Sequence, residues 1–173
     1  MTEKILVAYA TQHGSTQEVA EAIGATLREH GLEAEVQSVH QVHNLDGYSA
    51  VVLGAPFYLG RWLRDARHFL KKHRVALAKL PIAIFALGPR SEVGEEIREV
   101  RAQLDKALAS APWITPVEIS VFGGKVDPAS LHFPFNHMEA VDARNWTAIH
   151  IFAEKLAQIF HSSASSTSEV MSG

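Results

Sequence analysis

Cysteine is absent from this chain of 173 residues. Its absence excludes disulfides, thiolate metal ligands and dithiol chemistry, so any redox function requires a bound cofactor. Basic side chains are in slight deficit, since 16 Lys and Arg residues stand against 19 Asp and Glu residues and the formal net charge is −3. A chain with this balance is not expected to bind nucleic acid.

Long apolar runs are also absent. No run approaches the roughly 20 residues of a membrane-spanning helix, and residues 1–4 leave no room for a signal peptide before the first strand. We therefore expect a cytoplasmic protein without an integral membrane segment. The hydrophobic content of 47% is typical of a globular domain. We predict one domain over residues 1–161 and a disordered, Ser-rich tail over 162–173.

Short apolar runs alternate with helical patterns along the chain. The runs predict five strands, at residues 5–9, 33–39, 50–54, 82–87 and 117–122. Helical spacing predicts helices at residues 15–30, from 61, at 93–109 and at 144–160. Pro56 is expected to end the third strand. This alternation is typical of an α/β fold with a parallel sheet and helices on both faces.

A polar loop joins the first strand to the first helix. It consists of Thr11, Gln12, His13, Gly14, Ser15 and Thr16. A strand-to-helix turn gathers unpaired N–H groups at the positive end of the helix dipole, which favours a phosphate group. The alternative interpretation is that Ser15 or Thr16 is an ordinary helix N-cap.

Three more loops leave the carboxyl ends of the predicted strands, which is where open parallel sheets bind ligands. They carry Gly, Pro and aromatic residues rather than polar turn formers. Their candidate ligand-binding residues are Pro56, Phe57, Tyr58, Leu59, Gly60, Gly88, Pro89, Gly123 and Gly124. No catalytic side chain is predicted, and the ten histidines are not spaced with carboxylates as in a metal site.

The pattern Thr-x-x-Gly-x-Thr at residues 11–16 and the stretch from Gly54 to Trp62 resemble the flavodoxin family. Within it, residues 3–160 are most similar to the group that includes menaquinone-dependent protoporphyrinogen dehydrogenase. The resemblance implies a doubly wound, five-stranded parallel sheet in the order 2-1-3-4-5. It also implies non-covalently bound FMN, with phosphate at residues 11–16 and the flavin ring against residues 57–60, Tyr58 foremost.

Two departures from the family pattern leave the function open. His13 replaces a common threonine, and the third loop, residues 88–94, has no aromatic residue to stack on the ring. The resemblance implies an FMN-dependent electron-transfer protein with a protein or small-molecule redox partner. One alternative is an FMN-dependent protoporphyrinogen or quinone oxidoreductase, with residues 123–143 as a substrate wall. The other is a flavin-free binding or scaffold domain.

Overall fold

The computed structural model describes residues 4–11, 14–58, 61–88, 94–126, 141–142 and 144–172. Within these ranges the strands are β1 (Lys4–Tyr9), β2 (Glu33–Ser38), β3 (Ala50–Tyr58), β4 (Arg61–Trp62), β5 (Ile82–Leu87), β6 (Pro116–Phe122), β7 (Lys125–Val126) and β8 (Val141–Asp142). The helices are α1 (Ser15–Glu29), α2 (Arg64–Lys72), α3 (Arg74–Leu77), α4 (Gly94–Ala109) and α5 (Trp146–Ser172), with a 3₁₀ turn at Val39–Gln41.

Five parallel strands form the central sheet in the order β2-β1-β3-β5-β6. Counting only these strands, the order is the predicted 2-1-3-4-5, so both the α/β class and the doubly wound topology are confirmed. The three inner strands are apolar because both of their faces are covered. Every residue of β5, for example, is buried.

Two hydrophobic cores lie on opposite faces of this sheet. Ile5 and Val7 of β1 belong to the core beneath α1 and α5, where Ile23, Phe152 and Leu156 also lie. Alternate residues of β1 belong to the core beneath α2 and α4. Each fully buried aliphatic side chain of this kind contributes about 1.5–3 kcal/mol to folding. The helices are therefore held firmly on both sides of the edge where the strands end.

The chain after β3 differs from the prediction. Pro56 does not end the strand, because β3 continues to Tyr58 and Pro56 stays in register with Leu87 of β5. Alternate residues of a strand point their backbone groups to the same side, so Pro56 and Gly54 face the same neighbouring strand. The carbonyl of Gly54 accepts a hydrogen bond from Ala10 N just beyond β1. The N–H that Pro56 lacks would thus point past the end of β1, where no ladder bond is required.

The second helix also begins later than predicted. Arg61 and Trp62 form β4, which pairs antiparallel with Tyr58 and Phe57, and α2 starts at Arg64. The Trp62 side chain is 2% exposed and its Nε1 donates to Ala55 O at 3.0 Å. This buried anchor folds the chain back against β3 before a helix can form.

Two side chains near the helix ends differ from what their residue types and spacing suggest. Trp146 has the spacing of a core residue but is 43% exposed, and the guanidinium Cζ of Arg144 lies 4.8 Å from its ring centroid. His73 is buried, with its ring centroid 4.6 Å from that of Phe69. Helix α5 continues past residue 160 to Ser172, and the disorder of the 162–173 tail stays a prediction.

Candidate functional site

The carboxyl ends of the parallel strands meet at one edge of the sheet. Beyond β1, Ala10 N donates to Gly54 O of β3 at 2.9 Å. Beyond β5, Gly88 N donates to Phe122 O of β6 at 3.0 Å. A Cβ atom added to Gly124 would lie 3.4 Å from Gly88 O, so the last two loops start side by side. The edge therefore brings together the described starts of the loops that the sequence analysis identified.

A hydrogen bond joins the described ends of the turn between β1 and α1. Thr11 Oγ1 accepts from Gly14 N at 2.8 Å. Gly14 has φ 87°, in the left-handed region that glycine adopts without a steric penalty. It is the N-cap of α1, and within the described residues no side chain caps this helix. The alternative in which Ser15 or Thr16 is the N-cap is therefore wrong, since both lie inside the first turn.

Thr16 carries a buried polar atom without a partner. Its residue is 0% exposed, and Oγ1 makes no hydrogen bond to any residue that the structure describes. Leaving a buried hydroxyl unpaired costs about 1–3 kcal/mol. The Thr16 hydroxyl and the first N–H groups of α1 are hydrogen-bond donors that lack a side-chain acceptor among the described residues. Such a set fits the oxygens of a phosphate group.

A buried cation lies near the same helix start and was missed by the sequence analysis. Arg144 Nη1 is 2.7 Å from Glu18 Oε2, and the Arg144 side chain is only 4% exposed. Glu18 lies in the first turn of α1. The ion pair thus neutralises the acidic residue of the first turn of α1. The two residues are 126 positions apart, so no local sequence pattern could have indicated the pair.

The β3–β4 corner forms the second part of the edge. Leu63 N donates to Pro56 O at 3.0 Å, which adds to the Trp62–Ala55 bond and fixes the backbone on both sides of Phe57. Phe57 is half-buried and packs against the core beneath α2 and α4. Tyr58 is described by its backbone only. These two hydrogen bonds join the strands β3 and β4 at the described ends of the corner.

Glycine is required at the end of β5. A Cβ atom at Gly88 would lie 2.8 Å from Cγ1 of Val100 on α4, closer than real Cβ contacts. Gly123 and Gly124 follow β6 at the same edge. The remaining predicted site residues, Gln12, His13, Leu59, Gly60 and Pro89, lie outside the described residues, as does most of the 123–143 connection. Over the described ranges no three His, Asp or Glu side chains are grouped to hold a metal ion.

The fold and this edge define the class of the protein. The model of the flavodoxin domain family matches residues 6–138. The chain belongs to the flavodoxin domain family and is a flavodoxin-like redox protein. Among its relatives is the protoporphyrinogen IX dehydrogenase (quinone) of Escherichia coli K12. The two are 31% identical over 124 residues, which cover 70% of this chain and 68% of that protein.

Solved structures agree on the fold. A flavodoxin from the domain Archaea superposes with a TM-score of 0.60 at 17% identity, covering 91% of this chain and 99% of that one. Rubredoxin oxygen:oxidoreductase from Desulfovibrio gigas superposes with a TM-score of 0.58 at 16% identity. That match covers 93% of this chain but only 37% of the oxidoreductase, so the chain corresponds to just over a third of the larger protein. No helix among the described residues is long and apolar enough to cross a bilayer.

Proposed function

We propose that the chain binds FMN non-covalently and passes electrons between that cofactor and a redox partner. The observation that carries this proposal is Thr16 Oγ1, a buried hydroxyl without a partner among the described residues, in the first turn of a helix whose N-cap is a glycine. A hydroxyl without a hydrogen-bond partner at the N-terminus of a helix fits a phosphate monoester better than any neutral group.

The phosphate would be held by residues 11–16. Thr16, Ser15 and the first N–H groups of α1 would supply donors, while the Thr11–Gly14 hydrogen bond holds the two ends of the turn together. His13 adds a further donor when protonated. The positive end of the helix dipole supplies attraction, and Arg144 cancels the repulsion that Glu18 would otherwise exert.

The ring would lie against the other loops of the edge. The residues proposed to line it are Pro56, Phe57, Tyr58, Leu59, Gly60, Gly88, Pro89, Gly123 and Gly124. Bound FMN would supply the electron-transfer chemistry, which no side chain of this cysteine-free chain can supply. The chain's own contribution is to bind, orient and shield the ring, and an aromatic contact destabilises its electron-rich reduced form.

A spectroscopic experiment tests this proposal. The purified chain is mixed with FMN, excess flavin is removed, and the visible spectrum and flavin fluorescence are recorded. We expect retained flavin bands and quenched fluorescence. Free elution of all flavin, with undiminished fluorescence, would contradict the proposal and would favour a flavin-free scaffold of the same fold.

A second candidate function is that of an FMN-dependent protoporphyrinogen or quinone oxidoreductase. It is favoured by the 31% identity to the protoporphyrinogen IX dehydrogenase of E. coli K12. If it is correct, the FMN-loaded chain will oxidise protoporphyrinogen IX under anaerobic conditions when a menaquinone analogue is the acceptor. A rate no greater than that with free FMN would exclude it. A cytoplasmic location stays a prediction under either function.

A further inference from the structure

The charge of this chain is distributed unevenly. Residues 61–74 contain six of the 16 Lys and Arg residues but only one of the 19 Asp and Glu residues. With histidines neutral, this segment has an excess of five positive charges, although the whole chain has a net charge of −3. The small net charge therefore hides a strongly basic segment that coincides with β4, α2 and the start of α3.

Three of these six cationic side chains, together with His68, lie along a single groove. Its basic wall is the exposed face of α2, with Arg64, Arg67, His68 and Lys71 at the i, i+3, i+4 and i+7 positions. The opposite wall comes from the end of α4 and the residues that follow it, up to Trp113. The groove has a volume of about 340 Å³, which is within the usual range for binding sites.

The floor of the groove is apolar and fixed. Leu70 is 2% exposed and Ala111 is 4% exposed. The indole of Trp113 is half-buried, and its Nε1 donates to Leu70 O at 2.9 Å. This bond joins the two walls and sets the width of the groove. The groove therefore exists before any ligand binds.

The cationic side chains of the basic wall have no ion-pair partner among the described residues. Asp65, the one acidic residue of the segment, pairs instead with His40, at 3.1 Å between Nε2 and Oδ2. Within the described ranges no ion pair or hydrogen bond engages the side chains of Arg64, Arg67 or Lys71. The wall consequently presents three permanent charges to the exterior.

We infer that this groove is a docking site for an acidic segment of a partner protein. The inference rests on the proposed function for the partner's role, which is to exchange electrons with the flavin. Opposite charges on two protein surfaces steer the partners together and fix their register. An acidic helix or loop would place its carboxylates against α2 and its apolar side chains on Leu70 and Trp113.

The shape of the groove selects this partner over other anions. The basic wall extends over seven residues of helix, or about 10 Å, so a single phosphate ion would meet only part of it. A lipid surface is broad and cannot enter a groove between two helices. A row of carboxylates on one protein segment matches both the length and the concavity.

One end of the groove, at Arg64, lies towards the candidate flavin site, and the end of α4 forms the part farther from it. Arg64 begins α2 only two residues after Trp62, which pairs with Phe57 at the β3–β4 corner. A segment lying along α2 would therefore bring the rest of its protein to the edge where the flavin ring is proposed to lie. Docking there would shorten the path for electrons between the two proteins.

The test uses a synthetic, fluorescently labelled helical peptide whose glutamates recur every three to four residues, and a second peptide with glutamine at those positions. Fluorescence anisotropy measures binding to the 173-residue chain with FMN added. We expect the glutamate peptide to bind, more weakly as salt is raised, and the glutamine peptide to bind about tenfold or more weakly. The double variant Arg67→Glu/Lys71→Glu should weaken binding of the glutamate peptide by at least about tenfold.

The matched control is Lys79→Glu/Lys106→Glu, which changes the net charge equally at two exposed residues outside the groove. Equal weakening in both double variants, or none in Arg67→Glu/Lys71→Glu, would overturn the proposal. Tighter charge-dependent binding to phosphatidylglycerol vesicles than to the peptide would also overturn it, in favour of a membrane surface. FMN retention is measured on the same samples, because its loss in the unsubstituted chain refutes the flavin function separately from peptide docking.

Discussion

Thr11 and Gly14 close the turn before α1 with a hydrogen bond of 2.8 Å from the Gly14 nitrogen to the Thr11 hydroxyl oxygen. Gly14 has φ 87°, and this left-handed conformation turns the chain from the hydrogen bond directly into the first residue of α1. As the N-cap residue is a glycine, it provides no side-chain cap for the start of α1. A single backbone conformation thus keeps the helix N–H groups available for a ligand.

Replacing Gly14 by alanine tests the turn. The left-handed conformation costs a residue with a Cβ about 1–2 kcal/mol, so Gly14→Ala should lower the free energy of unfolding by that amount and should also weaken FMN binding. Urea denaturation and a flavin fluorescence titration measure the two effects. Gly31→Ala is the matched control, since Gly31 has φ 84° and open space around it but lies at the other end of α1. Similar losses of FMN affinity in both variants would contradict a local role for Gly14.

Thr16→Val tests the unpaired hydroxyl. Valine keeps the shape of threonine but removes the buried oxygen, so the flavin-free chain should become more stable by about 1 kcal/mol. FMN affinity should fall about tenfold, the worth of one hydrogen bond to a charged group. Calorimetry of the free chain and an FMN titration measure these opposite changes.

Thr26→Val provides the comparison for this variant. Thr26 lies on the same helix and is 5% exposed, but its hydroxyl is 3.2 Å from His150 Nδ1. Its removal should therefore destabilise the free chain by about 1 kcal/mol and leave FMN affinity unchanged. If Thr16→Val destabilises the chain as Thr26→Val does, the Thr16 hydroxyl has a structural partner after all.

Gly54→Ala should be strongly destabilising. A Cβ atom at Gly54 would overlap the ring of Phe85 on the neighbouring strand, and overpacking of a core usually costs about 1–3 kcal/mol. Phe85→Leu makes room, so the double variant should lose less stability than the two single variants together. Strict additivity in a double-mutant cycle by urea denaturation would show that the two positions do not compete for space.

The stability of the chain should depend on pH through Tyr48. Its hydroxyl donates to Glu35, and burial together with this carboxylate raises the pKa of Tyr48 to about 12. Because the folded pKa is higher than the unfolded value of 10.0, the stabilisation is complete below pH 10 and is lost as pH rises towards 12. The difference in unfolding free energy between the unsubstituted chain and Tyr48→Phe should therefore shrink over that range. A constant difference in urea denaturation would contradict the assignment.

The architecture could be predicted because its signals are local. The apolar runs of β1, β3 and β5 are continuous since these strands are covered on both faces, and β2 alternates because it is an edge strand. Residues 11–16 stood out because a polar, Gly-containing turn between a strand and a helix has few structural alternatives. Gly14 is the residue of that turn that needs a left-handed conformation.

The other features of the fold and the site could not be predicted, because they depend on tertiary contacts that local sequence patterns do not reveal. Pro56 remains in a strand only because β1 has already ended beside it, and Trp62 leaves the helical pattern because its indole bonds to Ala55. Arg144 reaches Glu18 across 126 positions. The basic groove joins side chains of α2 to Trp113, which the sequence separates by some 40 residues. Each of these features is determined by which residues the fold brings together, and not by the local secondary-structure propensity of the sequence.

The central claim, that the start of α1 binds the phosphate of FMN, is tested most directly by titrating the chain with FMN and with riboflavin, which has the same ring but no phosphate. Fluorescence quenching gives the dissociation constant of each. We predict that FMN binds about a hundredfold more tightly, equivalent to two charge-assisted hydrogen bonds. Equal affinities for the two flavins, or no binding of FMN, would contradict the account.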